Sequence, residues 1–308
     1  MPKKKTTKKV ARKSTQASAT EQDLDFLFPL PDLPDAEGET EELVGEIRSQ
    51  LQQLNEMMAA ELPEVDEEAL LAANEIFVDA LDAKTRKARL RGVREALKIC
   101  PECADAWLCL SRELDLSPPE RILYIERATE AGRAIIGDAF MDMIGAFWGY
   151  HETRPYMRAL EEQARHYDNY GHLEAAIEVW EMMLNLNPND NQGVRDPLAS
   201  AYLLAGRLDD ARDLLDRYRD DESAALSYAR ALESFLRHGD KSASRQARQQ
   251  ALASNAHLVL FVTGANQLPN DRPEMYQLGS PEEAILVAEH AVPAWKKYPE
   301  AINWLTQG

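Results

Sequence analysis

Residues 157–219 carry one pattern of small and aromatic side chains twice. The first copy reads Leu160, Ala164, Tyr167, Gly171, Ala176, Trp180, Met183 and Pro188, and the second reads Ala199, Tyr202, Gly206, Ala211, Leu215 and Tyr218. Ala164 and Ala199, Tyr167 and Tyr202, Gly171 and Gly206, Ala176 and Ala211, and Trp180 and Leu215 are each 35 residues apart. A fixed period of this length marks a supersecondary unit that cannot bury its apolar side alone and must stack on a neighbour. Alanines at matched positions let two helices approach closely, and the aromatics fill the space toward the next pair. The glycines fall where a helix must stop and the backbone turns to positive φ.

The spacing is that of a tetratricopeptide unit, whose two antiparallel helices repeat about every 34 residues. The fold expected is therefore all-α: a tetratricopeptide-like helical repeat solenoid over residues 39–308, of about a dozen helices, with its best repeats at 157–219. The flanking sequence supports this. Leu43, Ile47, Leu51, Leu54 and Met58 recur at helical steps, and further helices are expected from Val65 to about Asp82, Thr85 to Ile99 and 119 to 131. Ser117-Pro118 and Ser280-Pro281 read as helix starts with proline in the first turn. Trp304 is expected to close the end. Residues 133–150 read as an excursion before the strong repeats, and His257 to Val262 as the one non-helical apolar patch.

Charge divides the chain. Lys3, Lys4, Lys5, Lys8, Lys9, Arg12 and Lys13 give residues 1–20 a charge of +7 with no acid, whereas residues 21–308 hold 28 basic and 53 acidic side chains. An acidic body repels phosphate backbones, so nucleic acid is an expected partner only through the tail. Residues 1–38 are expected to be a disordered basic tail followed by an acidic, hydrophobic linker with three prolines. That linker has two readings: a cover for the array's own apolar end, or a peptide that folds against a partner. No run is apolar and long enough for a membrane span, and no secretory leader is expected. Three cysteines within ten residues, Cys100, Cys103 and Cys109, form no disulfide framework and suit a reducing, cytoplasmic setting.

Few residues suggest chemistry. Cys100-Pro101-Glu102-Cys103 supplies half a zinc site with no further ligands nearby, so two reduced thiols packing a turn is the expectation, with no metal. His151 and Glu152 lack a nucleophile or metal partner, and Glu152 is expected in a salt-bridged helix start. There is no Ser-His-Asp set, H-E-x-x-H motif or glycine-rich phosphate loop, so no catalytic residues and no cofactor are assigned. In Asn187-Pro188-Asn189-Asp190, Asn187 terminates one helix and Asn189 or Asp190 caps the next. The surplus Asn191, Gln192 and Arg195 are binding candidates. Register within the first copy places Arg158, Glu161, Arg165, Asp168 and Asn169 on the concave face, and Arg154 and Tyr156 join them from the polar cluster just before it.

Several phrases together, FWGYHETRPYMRAL (147–160), LNPNDNQGVR (186–195), NAHL (255–258) and YQLGSPEEAILVAEHAVPAWKKYPEAINWL (276–305), resemble the suppressor of tumorigenicity 7 (ST7) family, and more closely its bacterial tetratricopeptide-type relatives. The resemblance spans about residues 90–305 and implies an α-helical repeat fold with no catalytic residues to carry over. Asp196-Pro197 departs from it, standing where an unbroken helix is expected. The function expected from the sequence is a non-catalytic protein-protein interaction scaffold that binds a partner segment on its concave face. The alternative is a nucleic-acid-associated regulatory protein anchored by its lysine tail.

Overall fold

A computed structural model describes residues 64–307. The expected tail, linker and first helix lie outside them. Among the described residues there are thirteen α-helices and no strand: α1 Glu67–Leu81, α2 Arg86–Ile99, α3 Ala104–Glu113, α4 Pro118–Ile136, α5 Arg154–Asn169, α6 Leu173–Leu186, α7 Arg195–Ala205, α8 Leu208–Arg217, α9 Ala224–His238, α10 Ser242–Ser254, α11 Leu258–Val262, α12 Pro281–Lys296 and α13 Pro299–Thr306. None is long and apolar enough to cross a membrane. Helices that follow one another pack as neighbouring pairs, as in a helical repeat.

Local chemistry sets the boundaries. The Asp66 carboxylate accepts from the amides of Glu68 and Ala69 at the start of α1, and the Thr85 hydroxyl accepts from Ala88 N at the start of α2. The Glu120 carboxylate accepts from Ser117 N at the start of α4, and Ser280 caps α12 through Glu283 N. Gly171 and Gly206 close α5 and α7 with φ of 80° and 87°. Leu173 and Leu208, which open the partner helices, stand 35 residues apart, as their glycines do. The matched alanines Ala164, Ala176, Ala199 and Ala211 all have 0 % exposure, so the repeat in the sequence is a repeat in the packing.

Three expectations need correction. Leu258–Val262 is a short helix, α11; a five-residue apolar run cannot be told from a strand by periodicity. Asp196 and Pro197 do not interrupt a helix, because they lie in the first turn of α7, where a missing N–H costs nothing. Residues 133–150 split: α4 runs on to Ile136, followed by two 3₁₀ segments, Gly137–Met143 and Phe147–Gly149.

Most of the described chain shares one core, running from Ile136 to Leu305. A second, around Ala73, Val93 and Ala106, contains the three cysteines. The helices α4 and α5 cross at Gly132, where a Cβ would stand 2.7 Å from Tyr156 Cα and 2.9 Å from its N. Gly132→Ala gains helix propensity of about 1 kcal/mol. Backbone cannot yield as a flexible side chain would, so overpacking of about 1–3 kcal/mol dominates. A net loss is expected in urea unfolding, and a more stable variant would refute this account of the crossing.

One element also packs against helices far from it in chain order. The helix α12 lies against α7 and α9, the first helices of two consecutive pairs. Ala284, Ala288, Ala291 and Ala294 are buried along it, forming a small-residue stripe that lets it sit close. Trp295 meets the Tyr228 ring edge-on at 6.2 Å. Just beyond α12, Lys297 Nζ donates to Leu204 O at 2.6 Å and Tyr298 Oη to Leu203 O at 3.1 Å. Trp304 closes the end as expected, 3 % exposed, stacked on Phe235 and donating to Asp240.

Candidate binding cleft

The turn between α6 and α7 builds the polar centre of the molecule. Asn187 ends α6, and of the two candidate caps it is Asp190 that serves. With φ of 48° and 6 % exposure, Asp190 turns its carboxylate to accept from Val194 N at 2.8 Å and Arg195 N at 3.0 Å. Its charge is met by Arg195 at 3.2 Å, and Arg195 reaches on to Asp221 at 2.7 Å. The Arg195 guanidinium also lies over the Tyr218 ring, 5.2 Å from its centre. This network fixes the entry of α7 and turns Arg195 onto Asp190 and Asp221.

Asp196, next along, has no such partners. Its Oδ1 is closed to solvent and makes no hydrogen bond. Burial pushes its pKa up to about 7, against the pull of Arg195 and reinforced by the negative charges of Asp221, Asp190 and Glu283. Gln192 is half satisfied: Nε2 donates to Glu161 Oε2 at 2.7 Å and Met157 O at 3.2 Å, while Oε1 is buried without a donor. Glu283, only 2 % exposed, is the opposite case. It accepts from Ala224 N at 3.1 Å, Asn255 Nδ2 at 2.9 Å and Gly279 N at 2.6 Å, enough donors to hold a buried carboxylate.

These groups face a cleft of about 260 Å³ between α5, α7, the start of α9 and α12, lined among others by Arg165, Gln192, Asp196, Ser200, Tyr276, Glu283 and His290. On its rim the Arg165 guanidinium lies 3.6 Å from Glu161, and His290 Nδ1 lies 3.6 Å from Asp168. A second cleft, about 370 Å³, opens between α4 and α5 and is lined by Arg121, Glu162, Arg165, His166 and Asn169. Arg165 borders both.

The structure thus brings together Glu161, Arg165, Asp168 and Gln192 from the sequence candidates, with Asn169 on the second cleft. The others stand apart. Tyr156 is 2 % exposed and packs edge-on against Phe140, so it is a core residue with no surface for a partner. Arg158 makes a two-pronged bridge to Asp105, at 2.9 and 2.6 Å, that ties α5 to α3. Arg154 lies over the Trp148 ring and donates to its carbonyl. Asn191 is exposed in the turn. Asp196, Glu283 and His290 escaped sequence reasoning. Asp196 was hidden by its proline, and Glu283 looked like an ordinary first-turn acid beside a cap.

The remaining sequence candidates are structural or exposed. Cys100 and Cys103 are buried at the turn between α2 and α3, where burial pushes the Cys103 thiol up to about 11 and its Sγ contacts Asn74 Oδ1 at 3.3 Å. A thiol held protonated is a poor nucleophile and metal ligand. His151 and Glu152 are exposed in the turn before α5, and Glu152 takes part in none of the ion pairs among the described residues, contrary to the salt-bridged start expected for it. Among these residues no group of three or more His, Cys, Asp or Glu is placed to hold a metal.

The class these features define is an all-helical array of paired helices with a polar cleft at the turn between its two matched units. Comparison with protein-family models, with curated proteins and with solved structures returned no match.

Proposed function

We propose that this chain is a non-catalytic protein-protein interaction module of the cytoplasm, a tetratricopeptide-like repeat array that takes a partner segment along the first-helix side of α5 and into the cleft beside α7. What supports this is the course of α12. It lies against α7 and α9, the first helices of two consecutive pairs, as a bound helical segment would lie in a tetratricopeptide groove. The uncovered part lies beside α5, where Glu161, Arg165 and Gln192 converge. The 35-residue period and the resemblance to bacterial tetratricopeptide-type relatives of the ST7 family point the same way.

The test is selection of peptides from a random library on the full chain. Peptides of micromolar affinity are expected, weakened at least tenfold by Arg165→Glu. That side chain is 54 % exposed and its pairing with Glu161 is an exposed i,i+4 contact, worth well under about 1 kcal/mol, so the melting temperature stays put. Arg158 is unsuitable for this purpose, because reversing it breaks the bridge to Asp105. Deleting residues 1–20 leaves the affinity unchanged. Failure to select peptides, or peptides indifferent to Arg165, sinks the proposal, and loss on truncation moves the function to the lysine tail.

A further inference from the structure

We infer that the cleft between α5, α7 and α12 is a recognition site for a single organic cation, an alkylammonium or guanidinium group, received by Asp196 and Gln192. The inference deepens the reading above, since such a group is what a lysine or arginine of the partner segment would present.

The argument is one of subtraction. Every other acid of the cleft already has donors: Glu283 takes three, and Glu289 is paired with Arg272. Arg195, the nearest guanidinium, is spent on Asp190 and Asp221. What remains unmatched are Asp196 Oδ1 and Gln192 Oε1, one from a carboxylate and one from an amide. Both are acceptors, both are closed to solvent, and both belong to residues that line the same cleft. Leaving such atoms unpaired is costly, more so for a charged group. An anion or a second acceptor would deepen the mismatch. A neutral hydroxyl would supply one proton and no charge. An ammonium or guanidinium supplies several N–H donors and the positive charge that an ionised Asp196 lacks.

The surroundings suit a cation on a short stem. Ser200, Ser223 and Tyr276 add hydroxyl groups, and Leu286 and Val287 give the apolar wall along which a methylene stem would lie. On the rim Arg165 lies toward Glu161 and His290 toward Asp168, so neither side chain fills the site. Asp190 and Glu283 accept hydrogen bonds from backbone amides, whereas Asp196, in the first turn of α7, has no donor at its Oδ1. A carboxylate oxygen closed to solvent and unmet is what a binding site keeps at the expense of stability.

The experiment titrates the full chain with ethylguanidinium, n-butylammonium and, as a neutral match in size, N-butylacetamide, following backbone amide shifts by NMR. Saturable shifts at Gln192, Gly193 and Ser200 are expected for at least one cation and not for the amide. Asp196→Asn, which keeps the shape and removes the charge, should weaken binding at least tenfold. The wild-type shift map alone is decisive should that variant misfold. A parallel arm compares an arginine hexapeptide with its glutamine counterpart. Binding of the free cations without the peptide makes a small-molecule cation the ligand, and overturns the interaction reading while this one stands. Peptides that bind with no basic residue, in a chain that ignores the cations, do the reverse. Equal response to cations and amide, or cation shifts confined to surface acids away from α7, overturns the inference.

Discussion

Replacing Trp180 with alanine is expected to lower stability by about 3–5 kcal/mol, the cost of emptying a large site in a core that cannot fully collapse. The ring is 1 % exposed on α6, and it faces not only its own pair but also α12, whose His290 ring meets it edge-on at 6.5 Å. The loss therefore falls on two interfaces at once. Small domains hold about 5–15 kcal/mol in all, so the variant sits near the edge of folding. Urea titration reads this as a fall in midpoint with the slope kept. Leu123→Ala on α4, a side chain 58 % exposed, is the control and should stay within about 0.5 kcal/mol. A loss at Trp180 no larger than that would mean the ring is not the keystone its burial implies.

Asp196 gives the second large effect, with the opposite sign. Its folded pKa is raised to about 7 by burial, above the ordinary carboxylate value near 4. Between these values the folded chain holds a proton that the unfolded chain has released. Stability therefore falls as pH rises through that window and levels off above about pH 7, by up to about 4 kcal/mol for the full shift. Asp196→Asn cannot ionise. It should match the wild type near pH 4 and exceed it by about 2–4 kcal/mol at pH 8. Thermal melts across pH 4–8 check this directly. A variant that parallels the wild type at every pH would show that Asp196 is ionised and satisfied throughout. The same substitution is expected to weaken cation binding at least tenfold, so stability and recognition are set against each other at one carboxylate.

The helices and their register were legible because the signals are local. Asp66, Thr85 and Ser280 cap by reaching two or three residues along the chain, and the alanines 35 residues apart all pack at zero exposure. The cleft was legible only in part. Arg165, Asp168 and Glu161 lie on α5, whose face follows from helical periodicity, so they could be placed. Glu283 and His290 reach the cleft because α12 returns to α7 and α9, a juxtaposition that no period in the sequence encodes. Tyr156 was misjudged for a related reason. It looked polar among arginines, but the close approach of α4 at Gly132 seals it. Asp196 carries no pattern at all; what distinguishes it is the absence of a donor, visible only once its surroundings are known.

The seating of α12 also dictates an order of events. A helical array held together by neighbours can nucleate at any pair and spread along its length through local contacts. Here the contacts from Lys297 to Leu204 and from Tyr298 to Leu203 join residues 93 and 95 positions apart. While the chain emerges from a ribosome, the apolar sides of α7 and α9 stand bare until Pro281–Lys296 has been synthesised. That interval is when aggregation, chaperone capture or proteolysis would act on the nascent protein. The alanine stripe that makes the finished helix fit so closely also makes its arrival a late step of folding, and a far less local one than the docking of neighbouring pairs.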